Sequence, residues 1–234
     1  MKLSFTTISR VIRTLLAVAV IIIGSWQAYQ LELEQNGVIT IDQQPVNSSQ
    51  AAFTLSTLEV KGRAPKTNYS RAQFSNGWGE IQDCDVRNYI LRRDLSEVTL
   101  IPFTCHVALG TLIDPYSAQT ITFVRGPSTS ADIQIDHVVA LSDAWQKGAQ
   151  LLSARDRYSL ANDPLNLLAV RGDENQAKSD SDAATWLPAN KAYRCQYVAR
   201  QIAVKQKYKL WVSAAEYRAM ANILEQCPNQ TLPL

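Results

Sequence analysis

Asp136 and His137 stand side by side at the end of the alternating apolar stretch IQIDHVVAL, residues 133–141, in a chain with only 2 histidines. Downstream, Asn166 sits in DPLNLLAV, and Asn175 and Lys178 lie three apart in RGDENQAKSD. These residue types suit one divalent cation and a phosphodiester. Cutting that ester takes a water relieved of its proton by a nearby base, a cation to offset charge on the phosphoryl oxygens and leaving group, and rigid positioning. His137 can be the base, because an imidazole with an unperturbed pKa of about 6.5 is largely neutral at pH 7. Asp136 and the amide oxygen of Asn175 are hard oxygen ligands of the kind that bind Mg²⁺, which takes few protein groups and keeps several waters. A lone carboxylate leaves such a site net positive, which favours a negatively charged substrate. A larger carboxylate cluster would have suited two metals.

Several elements must position these residues. β-branched alternation predicts strands in QTITFVRG (119–126) and ADIQIDHVVAL, while SARDRYSLAND predicts a short helix capped by Ser153 and LNLLAV (165–170) a further strand. A helix starting near Asp173 sets Asn175 and Lys178 on one face. Neighbouring strand side chains point to opposite faces, so Asp136 and His137 can serve one site only if the strand bends or ends there. Each residue also has a plainer reading. Asp136-His137 fits a strand-end turn, Asn166 a turn residue after Asp163-Pro164, Asn175 a helix cap, and Lys178 a solvated lysine. His106, beside Cys105, reads as structural, and Arg87 fits a phosphate contact or a surface ion pair.

With 234 residues, the chain has room for one domain with a real core plus a tail, and its net charge of +2 is too small to argue for any partner. Lys2, Arg10 and Arg13 precede TLLAVAVIIIG, so residues 1–30 read as a secretory signal or a signal anchor. Either implies a protein that is secreted or held on the outer face of the membrane. Residues 31–56 are polar and weakly patterned and read as a linker, which leaves 57–228 as the folded domain. Cys84, Cys105, Cys195 and Cys227 lack the C-x-x-C spacing of zinc or redox sites, so disulfides are expected in an oxidising compartment. Cys195, Val198, Ala199 and Ile202 follow one helical stripe, and Tyr217, Met220, Leu224 and Cys227 another; the second helix opens with the capping-box pattern Ser213-x-x-Glu216. Two such helices facing each other join Cys195 to Cys227 and leave Cys84 for Cys105. Between Trp186 and Trp211 lie Lys191, Arg194, Arg200, Lys205, Lys207 and Lys209 with no acidic residue, which predicts a cationic face for a phosphate backbone, with Arg194, Arg200, Lys205 and Lys207 as nucleic-acid contacts.

IDHVVAL, DPLNLLAV and DENQAKSD in that order resemble the HNH, or ββα-metal, nuclease motif. RAPKTNYSRAQFSNGW, CDVRNYILRRDL, LIDPYSAQTITFVRG and ATWLPANKAYRCQYVARQIAVKQKY extend the likeness to exported HNH endonucleases related to the C-terminal domain of GmrSD-type restriction enzymes. This resemblance implies an α+β fold with a ββα-metal core at about residues 131–186, embedded in a single disulfide-stapled domain with C-terminal helices. It implies His137 as general base, Asp136 and Asn175 as ligands of one Mg²⁺ or Mn²⁺ ion, Asn166 pinning the loop that holds the histidine, and Lys178 facing phosphate. The final asparagine departs from the H-N-H letters, and the absence of a second imidazole argues against zinc. The implied function is hydrolysis of DNA, or of RNA, with low sequence specificity, giving 5′-phosphate and 3′-hydroxyl ends; a protein inhibitor would be invisible in the sequence. The alternative is an extracellular nucleic-acid-binding protein that keeps the fold without turnover.

Overall fold

A computed structural model of the chain describes residues 49–233. The expected signal segment and most of the linker lie outside the described residues. The end of the expected linker forms a helix that belongs to the fold. Helix α1 (Gln50–Thr57) is capped by Ser49, whose side chain accepts from the Ala52 amide, and buries Ala51, Ala52 and Leu55. Its Ala51 amide donates to the Gln230 carbonyl, so the two ends of the described chain meet. The apolar i, i+4 pair Ala51–Leu55 gives this short helix something to bury, and that outweighs the polar composition around it.

A small hairpin, β1 (Glu80–Ile81) and β2 (Cys84–Asp85), leads into α2 (Val86–Asp94). Its turn residues Gln82 and Asp83 both have positive φ, 51° and 58°, the conformation of a tight hairpin turn of the primed type. Asp85 caps α2 by accepting from the Asn88 amide. Strands β3 (Ser96–Leu100), β4 (Val107–Ile113) and β5 (Thr120–Val124) form an antiparallel meander, and β6 (Ile133–His137) pairs with β7 (Leu167–Arg171) as a separate antiparallel sheet. Helices α3 (Leu141–Gln146) and α4 (Ala154–Asn162, capped by Ser153) fill the connection from β6 to β7, and α5 (Gly172–Lys178) follows β7 directly. The chain ends with α6 (Arg194–Lys207) and α7 (Ala214–Leu224), the latter opened by the expected Ser213–Glu216 capping box. The fold is therefore of mixed α+β class. Among the described residues no helix is long and apolar enough to cross a membrane.

Two apolar clusters hold the elements that matter for the site. Val86, Ile90 and Leu91 of α2 pack with Leu112 and Phe123 of the meander and with Ile133, Ile135, Leu167 and Ala169 of β6 and β7. Strand alternation fixes the rest: with those residues inward, Gln134 and Asp136 fall on the opposite face, where α5 lies. The second cluster joins Phe74, Val139, Leu141, Trp145, Leu160, Ala161 and Val204. Burying one such side chain is worth about 1.5–3 kcal/mol, so the segments before and after His137 are anchored on both sides.

The disulfides are Cys84–Cys105 and Cys195–Cys227, with Cα atoms 5.8 and 6.2 Å apart. The first ties the start of α2 to the approach to β4, the second the start of α6 to the residues after α7. Between α3, α6 and α7 lies a network of buried charge. Lys147 meets Asp143 at 2.7 Å, Asp182 at 2.7 Å and Glu216 at 2.6 Å; Lys205 meets Glu216 at 3.1 Å; and Arg63 meets Asp182 at 2.7 Å and Asp143 at 3.1 Å. The cationic-face expectation for Lys205 is thus overturned: this residue is fully buried. The helical stripe running through Val198 and Ile202 continues to position 205, and facing carboxylates make a cation acceptable there.

Candidate active site

β6, β7 and α5 form a strand–strand–helix unit whose register places Asp136 opposite Leu168 and His137 opposite Leu167. Gly172 starts α5 at close quarters: a Cβ on it would stand 2.5 Å from the Ala131 carbonyl, and its amide donates to the Asp132 carbonyl. Only a glycine lets the helix begin this near to β6. Asn175 and Lys178 therefore overlook the face of β6 that carries Gln134 and Asp136.

Asp136 is buried between two donors. Lys178 Nζ donates to Oδ1 at 2.9 Å and Tyr116 Oη to Oδ2 at 2.6 Å. Burial, reinforced by the Asp136 charge, raises the Tyr116 phenol well above its usual pKa, so it remains a donor. Tyr116 itself comes from the turn between β4 and β5 and packs edge-on against Trp186 and Tyr197. Lys178 also donates to the His137 carbonyl at 2.8 Å and is fully buried. The expected lysine facing phosphate is accordingly corrected: Lys178 is enclosed between α5 and β6, holding the carboxylate and the backbone of the next residue.

His137 ends β6, and that termination resolves the alternation problem. Its side chain leaves toward Trp78 and α4 while that of Asp136 leaves toward Tyr116 and α5, yet both border one open cleft of about 510 Å³ with Asn175. The imidazole stacks on Trp78, ring centroids 5.9 Å apart, and its Nε2 lies 2.9 Å from the Ala161 carbonyl. A carbonyl can only accept, so Nε2 carries the proton and the neutral ring keeps its lone pair on Nδ1. Burial lowers the His137 pKa to about 4, against the opposing pull of the Ala161 hydrogen bond. The ring is unprotonated at neutral pH. Gly79 lets Trp78 approach, since its amide donates to Asn162 Oδ1 at 2.7 Å and a Cβ there would collide with the Tyr158 hydroxyl.

The backbone after His137 is held at every polar group through Val139. Val138 N–H donates to the Asn166 carbonyl and Val139 N–H to Asn166 Oδ1 at 2.8 Å, while Asn166 Nδ2 donates to the Val139 carbonyl at 3.2 Å. Gln201 of α6 donates to the Val138 carbonyl at 3.0 Å. Asn166 is fully buried and sits where it pins the loop beyond the histidine. Asn175 donates through Nδ2 to Gln134 at 2.8 Å, which leaves its carbonyl oxygen free at the cleft. A carboxylate offers about four lone-pair sites, so Asp136 also keeps acceptor capacity after its two hydrogen bonds. Two hard oxygens bordering one cleft suit a cation that completes its shell with water.

The residues expected on the nucleic-acid face do not border this cleft. Arg194 donates to the Pro188 carbonyl, Arg200 to those of Leu165 and Leu167, and exposed Lys207 pairs with Asp163 at 2.6 Å. The cations on the cleft are instead Lys66 and Arg71, from the irregular segment before β1. Arg87 makes no ion pair among the described residues; it donates to the Ser130 and Ile133 carbonyls and fixes the entry to β6. Tyr116, Trp78, Arg71 and Gln201 went unnoticed because no local spacing connects them to Asp136-His137.

A family model described as GmrSD restriction endonucleases, C-terminal domain, matches residues 85–223. The chain belongs to this family. Membership agrees with the resemblance seen in the sequence and makes the domain one of nuclease type. A relative described as an uncharacterized secreted protein, from Arthroderma benhamiae, is 37% identical over 184 residues, covering 77% of this chain and 86% of the relative. No solved structure matches. The family match takes in Asp136, His137, Asn166, Asn175 and Lys178 and starts after Trp78, so the cleft wall carrying Lys66 and Arg71 lies before it.

Proposed function

We propose that this protein is an exported, metal-dependent endonuclease of the HNH type that hydrolyses phosphodiester bonds of DNA with low sequence specificity. The observation that carries the reading is the meeting of Asp136, unprotonated His137 and Asn175 on one open cleft. His137 Nδ1 takes a proton from water, the water oxygen attacks phosphorus, and the bond to the leaving oxygen breaks as that oxygen takes a proton from solvent. Trp78 and the Ala161 carbonyl hold the ring, and Lys178, Asn166 and Gln201 hold the chain that bears it. Asp136 and Asn175 would hold one Mg²⁺ or Mn²⁺ ion, which would supply charge stabilisation for the phosphoryl oxygens. Lys66 and Arg71 on the cleft can meet a phosphate backbone, a contact that carries no sequence information. Export is supported by the secreted relative, the two disulfides and the charged-then-apolar amino terminus.

Plasmid nicking by the purified mature protein, with Mg²⁺ and with chelator, tests this directly. His137→Ala should lower the rate by about 10²–10⁴-fold, the usual contribution of a general base, while leaving plasmid binding intact. Binding without cleavage by the unaltered protein in any divalent cation would instead support the inactive binding protein.

A further inference from the structure

The cleft holds one cation that no described residue neutralises. Of its two basic residues, Lys66 is paired with Asp180 at 2.9 Å, whereas the exposed Arg71 guanidinium has no ion pair or hydrogen-bond acceptor among the described residues. Arg92, Arg155 and Arg218 are likewise exposed without such a partner among the described residues, but they border neither this cleft nor the smaller one beside it, so Arg71 is set apart by its place. The backbone under Arg71 is nevertheless fixed. Its carbonyl accepts from the Phe74 and Ser75 amides at 3.0 and 3.2 Å, and Phe74 is buried edge-on against Trp145 and Tyr69. Trp145 in turn donates to the Thr67 carbonyl at 3.2 Å. A free guanidinium on an anchored stem is pre-organised to meet an anion.

Its place narrows which anion. Arg71, His137 and Leu141 border both the main cleft and a smaller one of about 150 Å³ walled by Ser75, Gly77, Trp78 and Ala161. Arg71 and the imidazole thus stand together where the two clefts adjoin. We propose that Arg71 binds a non-bridging oxygen of the phosphate being cleaved, through the fork geometry that guanidinium shares with phosphate. This assignment rests on the nuclease reading above and adds a catalytic residue from a segment that precedes the family match.

The test uses the full mature protein and a fluorescently labelled DNA duplex of fixed length. Binding is measured in chelator across a salt series, and cleavage in Mg²⁺. Arg71→Ala should lower kcat by about 10- to 100-fold, the range for losing a charged hydrogen bond, and should reduce the slope of log affinity against log salt by about 0.9. Arg71→Lys should restore the slope but not the whole of kcat, because an ammonium keeps the charge and loses the fork. Since Arg71 is exposed and unpartnered, both variants should keep the parent melting temperature. Unchanged kcat in Arg71→Ala, or a change confined to KM, overturns the assignment while cleavage by the parent protein leaves the nuclease reading standing. Absence of both cleavage and binding in the parent removes the two together.

Discussion

Lys147 and Lys178 are both fully buried against aspartate, but their surroundings differ in kind. Lys147 is enclosed by Asp143, Asp182 and Glu216, with Lys205 and Arg63 adding two cations, so three positive charges answer three negative ones. Lys178 faces a lone carboxylate and a backbone carbonyl, and that carboxylate borders an open cleft beside an unprotonated imidazole. Buried ion pairs by themselves do not mark function, because their desolvation cost offsets much of their attraction. What distinguishes the second cluster is spare acceptor capacity on a surface that a ligand can reach. The first has closed on itself and joins the segment before β1 to α3, α6 and α7.

The largest expected effect comes from breaking the closed network. Lys147→Met leaves buried carboxylates short of a cation and should cost about 3–5 kcal/mol in urea unfolding, with unchanged nuclease rate per folded molecule. Asp136→Asn, which leaves the buried Lys178 ammonium facing a neutral amide, should cost a comparable amount and should in addition end cleavage. If Lys147→Met cost less than about 1 kcal/mol, the network would not be the clamp described here.

Acid separates the same two regions by pH window. Burial pushes the Asp182 carboxyl up, but hydrogen bonds and charge from Lys147 and Arg63 prevail and hold it at about 2, below its ordinary value of 3.8. Unfolded protein therefore binds more protons between those values, so this contribution, about 2 kcal/mol by linkage, is complete above 3.8 and is lost as pH falls through 2. His137, lowered by burial from 6.5 to about 4, obeys the same sign in a higher window. In metal-free protein about 3 kcal/mol of stability should disappear between those two values as its unfolded form takes up the proton first. Urea midpoints across pH should show two steps, and His137→Phe should remove the upper one alone. A single step surviving in both His137→Phe and Asp182→Asn would mean that neither group governs acid unfolding.

The two regions also differed in how far the sequence revealed them. Asp136, His137 and Asn175 lie on elements with clear period: alternation ends at His137, and a helix three residues into its course presents Asn175 beside Gln134. Local pattern was enough there. Lys205 failed because its charge was given more weight than its place on the Val198–Ile202 stripe, and the carboxylates that accept it, Asp143 and Glu216, come from α3 and α7, far along the chain. Lys178 failed similarly, since spacing placed it on the right helix face without showing that Asp136 would enclose it. Tyr116 lies 20 residues before its partner in a turn between strands of another sheet, and only tertiary packing brings the two together. Helix α1 was hidden in the sequence for the same reason, as it owes its order to packing on α6 and α7.

Tyr116 provides the finest test of whether Asp136 differs from Asp182. Tyr116→Phe keeps the ring against Trp186 and Tyr197 and deletes one donor to the Asp136 carboxylate. The stability cost should be about 1.5 kcal/mol, the low end for a hydrogen bond to a charged group, because Lys178 stays in place. If the carboxylate also holds a cation, its orientation matters beyond the fold, and the Mg²⁺ concentration for half-maximal cleavage should rise by about 10-fold, as expected on losing a group that orients a metal ligand. A stability loss without any shift in metal requirement would make Asp136 a structural carboxylate of the same kind as Asp182, held in a lysine pair that merely happens to border the cleft.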